Sequence, residues 1–273
     1  MKLELKNVSF TYPSLIGDGT KGLKDVSTLF PEGMVTAVMG ESGSGKSTMV
    51  RLLNGLLKPT TGEVLVDGTS IWEKNYDRFT LRSKVGVVFQ YPEAQLFEET
   101  VLKDVMYGPL NMGKSRENAK SSAIKALAML GLGDDYLERS PFALSGGEKR
   151  RVALAGVLAM EPDVLVLDEI AAGLDELSHE KVFSLFPILK KEGKSVILVT
   201  HSADDAAEAG DRILYLDEGV KKAEGDVRDV FSSGIVPLPE AEKTAMVLRE
   251  IGRSIPKPIL TMDELVEALA SSR

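Results

Sequence analysis

The stretch Gly40-Glu41-Ser42-Gly43-Ser44-Gly45-Lys46-Ser47-Thr48 limits what this chain can fold into more than any other feature. It follows an apolar run, Met34–Met39, and leads into a helical pattern from Thr48 to Leu57. Strand, glycine-rich turn and helix in that order make a phosphate-binding loop. The glycines let backbone N–H groups wrap an anion, and the helix N-terminus adds a favourable dipole. Lys46 is then placed to contact β- and γ-phosphates and Ser47 to bind Mg²⁺, with Gly40, Ser42, Gly43, Ser44, Gly45 and Thr48 completing the cradle. A Gly/Ser-rich turn without a ligand would explain the glycines, but not a lysine and a helix in register with them.

Other short apolar runs, Val64–Val66, Val85–Phe89, Val164–Leu167, Val196–Thr200 and Ile213–Leu216, alternate with amphipathic stretches. This is the pattern of a layered α/β domain, its middle strands apolar throughout and expected to carry helices on both faces. The N-terminus runs into an alternating strand through Leu3, Leu5, Val8 and Phe10. Between Gln90 and Pro141 the texture turns helical, with Ile124, Leu127 and Leu130 on one face, and reads as an insertion into the core. Near Gly225 it shifts again. The segment Ser232–Pro239 holds too much proline and glycine to continue a core element. Two short helices are expected beyond it, the second with a capping-box start at Thr261 and Glu264.

Composition excludes several classes. The 273-residue chain has no cysteine, which removes disulfides and thiolate metal sites. A net charge of −8 argues against nucleic acid as the main partner, since phosphate neutralisation supplies most of that affinity. No apolar run approaches the roughly 20 residues that cross a bilayer, so a membrane role would be that of a bound subunit.

Further positions along the chain carry chemistry. Val164-Leu165-Val166-Leu167 ends in Asp168-Glu169, and two carboxylates at the end of a buried strand are costly unless a cation or reacting water lies there. Asp168 suits a Mg²⁺ role and Glu169 a general base that polarises an attacking water, the bland alternative being a helix cap. His201 ends the strand Val196–Thr200, where it would face the carboxylates and a γ-phosphate, although lone histidines are more often structural. His179, in a charged helical stretch from Asp175 to Lys191, reads as surface. Gln90 ends the strand Val85–Phe89, where its amide could ligate Mg²⁺ or position water. Tyr12, before Pro13, could stack on a base or simply pack. The second glycine motif, Leu144-Ser145-Gly146-Gly147-Glu148, opens a helix whose N-terminus suits a phosphate approached from the side its own loop cannot reach. That arrangement calls for a second subunit closing head-to-tail.

Taken in order, Tyr12, the phosphate loop, Gln90, Leu144–Glu148, Asp168-Glu169 with Ala172-Gly173-Leu174-Asp175, and His201 resemble the ATP-binding-cassette (ABC) ATPases over residues 1 to about 225. The resemblance implies a P-loop NTPase core of the ABC, RecA-like type with a helical subdomain at about 91–143 and a small C-terminal appendage at 226–273. It also implies two cassettes sandwiching two ATPs. Each site would pair one chain's P-loop with the other's Ser145, Gly146 and Gly147, and Asp175 would lie across the seam. The phrase Phe89–Phe97, with Thr100-Val101 and Asp104-Val105, is similar to the ATPases of energy-coupling-factor transporters, as are Leu238-Pro239 and Thr261 to Leu265.

That finer resemblance implies a peripheral ATPase on the cytoplasmic face of the membrane, serving vitamin or transition-metal uptake. It would work with a second ATPase, identical or paralogous, an integral membrane subunit docking near Gln90–Phe97, and a separate membrane protein that binds substrate. Ile170-Ala171 depart from the proline and small or hydroxyl residue usual after the family's catalytic glutamate, which leaves the rigidity of that loop open. Competing readings are an importer ATPase served by a soluble binding protein, a soluble cassette outside transport, and a non-hydrolysing module. The last fits poorly with intact Lys46, Glu169 and His201.

Overall fold

The computed structural model of the chain describes residues 1–13 and 19–271. The described residues form two sheets. In the first, β1 (Leu3–Tyr12) lies between β2 (Thr20–Phe30) and β4 (Thr61–Val66), with the short β5 (Thr69–Ser70) at the edge, all antiparallel. The second runs β10 (Val220–Asp226), β9 (Arg212–Asp217), β3 (Val35–Met39), β8 (Ser195–Thr200), β7 (Val164–Asp168), β6 (Val85–Val88). All but β10 are parallel, so the C-terminal ends of β3, β6, β7 and β8 lie along one edge. Functional groups gather at such an edge in open α/β sheets.

The apolar strands divide their side chains by the two-residue period of a strand. Leu165 and Leu167 of β7 and Val196 and Leu198 of β8 pack with Leu154 and Ala155 of α5 (Gly146–Leu158) and Phe186 and Leu189 of α7 (Leu185–Lys191). Val164, Val166, Ile197 and Val199 face the other way. There they meet Met49 and Leu52 of α1 (Lys46–Leu53), but also Leu3, Leu5 and Val8 of β1. The expectation of helices on both faces is corrected here: one face is covered by helices, the other by α1 together with the antiparallel sheet. The alternation along β1 also breaks between Leu5 and Val8, where the register shifts and Asn7 adopts φ 50. An extra residue there returns Val8 and Phe10 to the core face.

Around this core, α2 (Arg78–Lys84) leads into β6, and α3 (Val101–Asn111) and α4 (Arg116–Met129) follow it before α5. α6 (Glu176–Phe183) precedes α7, and α8 (Ala203–Ala209) follows β8. Past β10, α9 (Val227–Ser232) does not leave the body: Val227, Val230, Phe231 and Val236 pack with Ala37, Met39 and Ile213. A separate cluster, Ala241, Ala245, Ile255, Ile259 and Leu265, joins α10 (Glu240–Glu250) to α11 (Met262–Ser271), the two helices expected there. Thr261 caps α11 by accepting from the Glu264 N–H at 3.3 Å, as expected of a capping box. The return bond differs by one residue: the Glu264 carboxylate accepts from the N–H of Leu260, not Thr261, while also pairing with Arg228 of α9.

Glu242 is the polar centre of this terminal unit. It is 1 % exposed, takes both outer nitrogens of Arg249 at 2.9 and 3.0 Å, and accepts the Ile259 N–H at 2.7 Å. Burial pushes its carboxyl up, but the guanidinium and the N–H outweigh that and hold it below the usual glutamate range. A depressed carboxylate stabilises the fold above its unfolded pKa, and that contribution is lost as pH falls through its folded value. Glu242→Ala is therefore expected to cost about 3 kcal/mol at pH 7, as when one partner of a buried pair is removed. Urea titrations that show this gap at pH 7 and its narrowing through the carboxylate range on acidification check the assignment.

Candidate functional site at the ends of β3, β6, β7 and β8

A cavity of about 310 Å³ opens at the sheet edge, lined by Tyr12, Thr20, Lys21, Gly22, Ser42, Gly43, Gly45, Lys46, Ser47, Thr48, Gln90 and Glu169. The loop Gly40–Gly45 is strongly curved, with Gly43 at φ 82 and Gly45 at φ 103, a region in which a side chain would be strained. A Cβ on Gly43 would meet nothing within 4 Å, so its backbone faces open space into which an anion fits. Ser42 and Ser47 are exposed toward the cavity, whereas Gly40 and Ser44 are buried beneath it. Thr48 is buried and bonds through its hydroxyl to the Tyr12 phenol at 3.0 Å. Tyr12 thus both lines the cavity and packs, edge-on to Phe10 with ring centres 4.9 Å apart.

Lys46 is buried and donates to the carbonyls of Gly40 at 2.7 Å and Glu41 at 2.9 Å. Its ammonium is 3.9 Å from Glu169. Burial drives its pKa down, although Glu169 and Asp168 pull it back up. Asp168 is buried beside it, and one of its carboxylate oxygens, Oδ1, has no hydrogen-bond partner. Desolvation, with the Glu169 charge, raises its pKa against the opposing pull of Ser47, Lys46 and Arg51.

Glu169 leaves the strand in a left-handed conformation, φ 53, with its N–H donating to Val199 O at 3.0 Å. This conformation is uncommon for a residue carrying a Cβ and matters because neighbouring strand residues point to opposite faces. The turn aims Glu169 into the cavity beside Asp168 rather than away from it. There Gln90 donates through Nε2 to Glu169 Oε2 at 3.0 Å, and His201 Nδ1 stands 3.8 Å from Oε1. Lys46, Gln90, Glu169 and His201, read separately from the sequence, therefore converge on one carboxylate.

The second glycine motif lies apart: among the described residues, Ser145, Gly146 and Gly147 do not line this cavity. Ser145 caps α5 by accepting from Glu148 N–H at 3.3 Å, and Glu148 returns the bond to Ser145 N–H at 2.8 Å while accepting from Tyr136 at 2.7 Å. Gly147 is wedged against the start of α6: a Cβ there would come within 2.7 Å of Asp175 Oδ2 and 2.6 Å of Ser178 Oγ. Asp175 itself caps α6, accepting from the Ser178 N–H and hydroxyl at 2.9 and 3.0 Å.

Comparison with known proteins places this geometry. Residues 23–172 match the family model for the ABC transporter. The chain belongs to the ABC transporter ATPases. Its likeness extends along the whole chain to energy-coupling factor transporter ATP-binding protein EcfA2 of Streptococcus agalactiae, 44 % identical with 98 % of this chain and 99 % of that one covered. The protein of the same name from Bacillus licheniformis is 45 % identical, with 97 % and 95 % covered. Among solved structures, cbiO1 from Clostridium perfringens, part of the ABC transporter complex cbiONQ, superposes with a TM-score of 0.78 at 34 % identity, covering 92 % of this chain and 96 % of that one. A dimeric ATP-binding cassette in a post-hydrolysis state, bound to ADP and Pi, gives 0.74 at 35 % identity over 83 % of this chain and 99 % of that one. The protein is thus an ATP-binding ABC ATPase of the energy-coupling-factor group.

Several site features of this ABC ATPase were not legible beforehand. Thr20, Lys21 and Gly22 wall the cavity from β2, a strand that charged residues and a bulge at Asp25 (φ 49) hide from a simple period-two reading. Arg150 donates to the carbonyl of Ala172 and to Glu93 at 3.2 and 3.4 Å, bracing α5 against the loop after Glu169 and the turn after Gln90. Ile170, the unusual residue after Glu169, is fully buried among Leu165, Leu167 and Leu198. Burial of Ile170 and the Arg150 clamp therefore hold this loop in place of a proline. His179 corrects the surface reading: it is half-buried, with Nε2 3.1 Å from Asp205.

The raised Asp168 pKa carries a sign. An acid whose folded pKa is raised costs stability when charged, and that cost disappears as pH falls through the folded value. Asp168→Asn should raise the melting temperature of the nucleotide-free chain by about 2–4 °C at pH 7, the scale of a 1 kcal/mol relief in a chain of this size. Melts at descending pH should show this advantage vanish as the wild-type carboxyl protonates.

Proposed function

We propose that this chain is the ATP-hydrolysing subunit of an energy-coupling-factor type importer, driving uptake of a vitamin or transition metal ion through a membrane partner. The single observation that carries the reading is Glu169, aimed by a left-handed turn into the P-loop cavity and met there by Lys46, Gln90 and His201. Full-length likeness to the energy-coupling-factor ATP-binding proteins supports the choice of transporter.

In this reading the P-loop residues Gly40, Ser42, Gly43, Ser44, Gly45, Lys46, Ser47 and Thr48 hold the phosphates and Tyr12 borders the base. The residues fit a Mg²⁺ ion: Ser47 and Gln90 face the cavity, and the unpartnered, buried Oδ1 of Asp168 has an acceptor to spare. Among the described residues no group of three or more His, Cys, Asp or Glu could hold a cation alone. That suits Mg²⁺, which takes one or two protein ligands plus phosphates and water. The bound ion would neutralise charge on the phosphates. Glu169 polarises the attacking water as general base, while His201 contacts the γ-phosphate and Gln90 moves with the inserted helices.

Because Ser145, Gly146 and Gly147 stand outside the chain's own cavity, they serve the site of a second ATPase, with Asp175 at the seam. Closure brings those N–H groups to the γ-phosphate and excludes water, and the higher affinity of the closed pair for ATP does the mechanical work. The division is a cassette over residues 1–225, with a helical subdomain at about 91–143, and an extension at 226–273. A groove of about 550 Å³ beyond Gln90 exposes Phe79, Phe97 and Tyr107 at its rim, the last two edge to face at 4.8 Å. It is suited to a helix of the integral membrane subunit, which would hold the protein at the cytoplasmic face. No helix among the described residues is long and apolar enough to cross a membrane.

Two outcomes test this. A tagged chain drawn from detergent-solubilised native membranes should bring a polytopic membrane protein and a second cassette ATPase, identified by mass spectrometry. A soluble binding protein among the recovered components would favour the other importer class, and soluble factors alone would end the transport reading. In that complex, Glu169→Gln should lower ATP turnover by about 10²–10⁴-fold, the usual weight of a general base, while nucleotide stays bound in a closed dimer. Normal turnover would remove Glu169 from its role.

A further inference from the structure

The His201 imidazole is 63 % exposed, and its 3.8 Å approach to Glu169 is too long to be a hydrogen bond. Its own side chain does little to hold it in place. The residues on either side do. Thr200, the last residue of β8, donates its hydroxyl to Asp205 Oδ2 at 3.2 Å and accepts the Ser202 N–H at 3.0 Å. Ser202 caps α8 by accepting the Asp205 N–H at 3.1 Å. Asp205 is therefore the knot of the turn that presents His201. Its other oxygen, Oδ1, reaches out of the turn to His179 Nε2 at 3.1 Å on α6.

His179 is a well-fixed partner. Its ring stacks on Phe183, one turn along the same helix, with centres 3.9 Å apart and planes 20° from parallel. Its backbone N–H makes the first helical bond of α6, to the carbonyl of Asp175, the residue that caps α6 and abuts Gly147. A continuous path of packed and hydrogen-bonded groups thus runs from Gly147 of α5 through Asp175, His179 and Asp205 to the peptide carrying His201. Its members come from three separate stretches of sequence. Packed side chains and hydrogen bonds of this kind can carry coupling between two places, and coupling measured between its ends is what establishes it.

We propose that His179 is a positioning residue for ATP hydrolysis: through Asp205 it sets the Thr200–Ser202 turn, and with it His201, in register with α6 and the Asp175 loop. The proposal rests on the role given above to His201. It makes a distinct claim, that a displacement of α6 moves His201 within the same chain.

The test uses the membrane complex recovered with this chain. His179→Ala should lower kcat about tenfold, a fraction of what loss of an acid–base or charge-stabilising group costs, while KM for ATP changes less than about twofold. His179→Gln, which can still donate to Asp205, should recover at least half of the loss. In a His201→Ala background, His179→Ala should change the residual rate by less than about twofold, because the two act as one unit. Hydrogen exchange should quicken at amides 200–203 in His179→Ala and stay unchanged across 40–48. Should His179→Ala melt too early to assay, His179→Phe keeps a ring stacked on Phe183 and removes the donor to Asp205, with the same expectations.

An unchanged kcat in His179→Ala, or an equal further loss in the His201→Ala background, would overturn the proposal, the latter by showing only a scaffold role. Normal turnover in His201→Ala would instead sink the reading of His201 itself. That result is distinct from the case in which His201→Ala is inactive and His179→Ala is normal.

Discussion

Charge at the end of an apolar sheet is the constraint on which the rest of this structure turns. β3 and β7 are buried along their length, yet one is followed by Lys46 and the other ends at Asp168 and Glu169. Removing an ammonium and a carboxylate from water costs several kcal/mol each, and their mutual attraction repays that only with good geometry. Here the geometry is incomplete. Lys46 is turned toward two carbonyls and Asp168 keeps an oxygen without a partner. A site left in this condition favours whatever supplies the missing charge and donors, and a nucleotide triphosphate with its cation supplies both.

The sequence made much of this readable because the responsible signals are local. The P-loop, the apolar run into Asp168-Glu169 and the helix opened at Leu144–Glu148 each lie within about ten residues, and each forms where it is expected. What escaped depends on partners far along the chain. The cover over one face of the parallel sheet comes from β1, whose Leu3, Leu5 and Val8 meet Val164 and Val166 only after the whole domain has closed. β2 reads poorly because a bulge at Asp25 breaks its period. His179 looked like surface since its helix is rich in charge, and nothing nearby announces Asp205, which is 26 residues away.

The same separation explains how the site is divided. The groups that meet on Glu169 stand at one sheet edge, while Ser145 and its glycines open α5, which packs both on β7 and β8 and against α3 and α4. Arg150 on α5 reaches Glu93 and the carbonyl of Ala172. The turn after Gln90 and the loop after Glu169 are thereby fastened to the same guanidinium. Rigid clamps of this sort convert a small local shift into a shared one, because close-packed interiors change between discrete arrangements rather than flexing.

Glu169 combines two demands that oppose each other. Its backbone sits at φ 53, where glycine or asparagine would be at ease and a glutamate is not. Relaxing that torsion means giving up the carboxylate, so at this position the substitutions that suit the fold are those that remove the base proposed here. If Glu169 has that role, selection for stability alone would carry this protein away from its activity, and a search for sturdier variants should expect to lose turnover at residue 169.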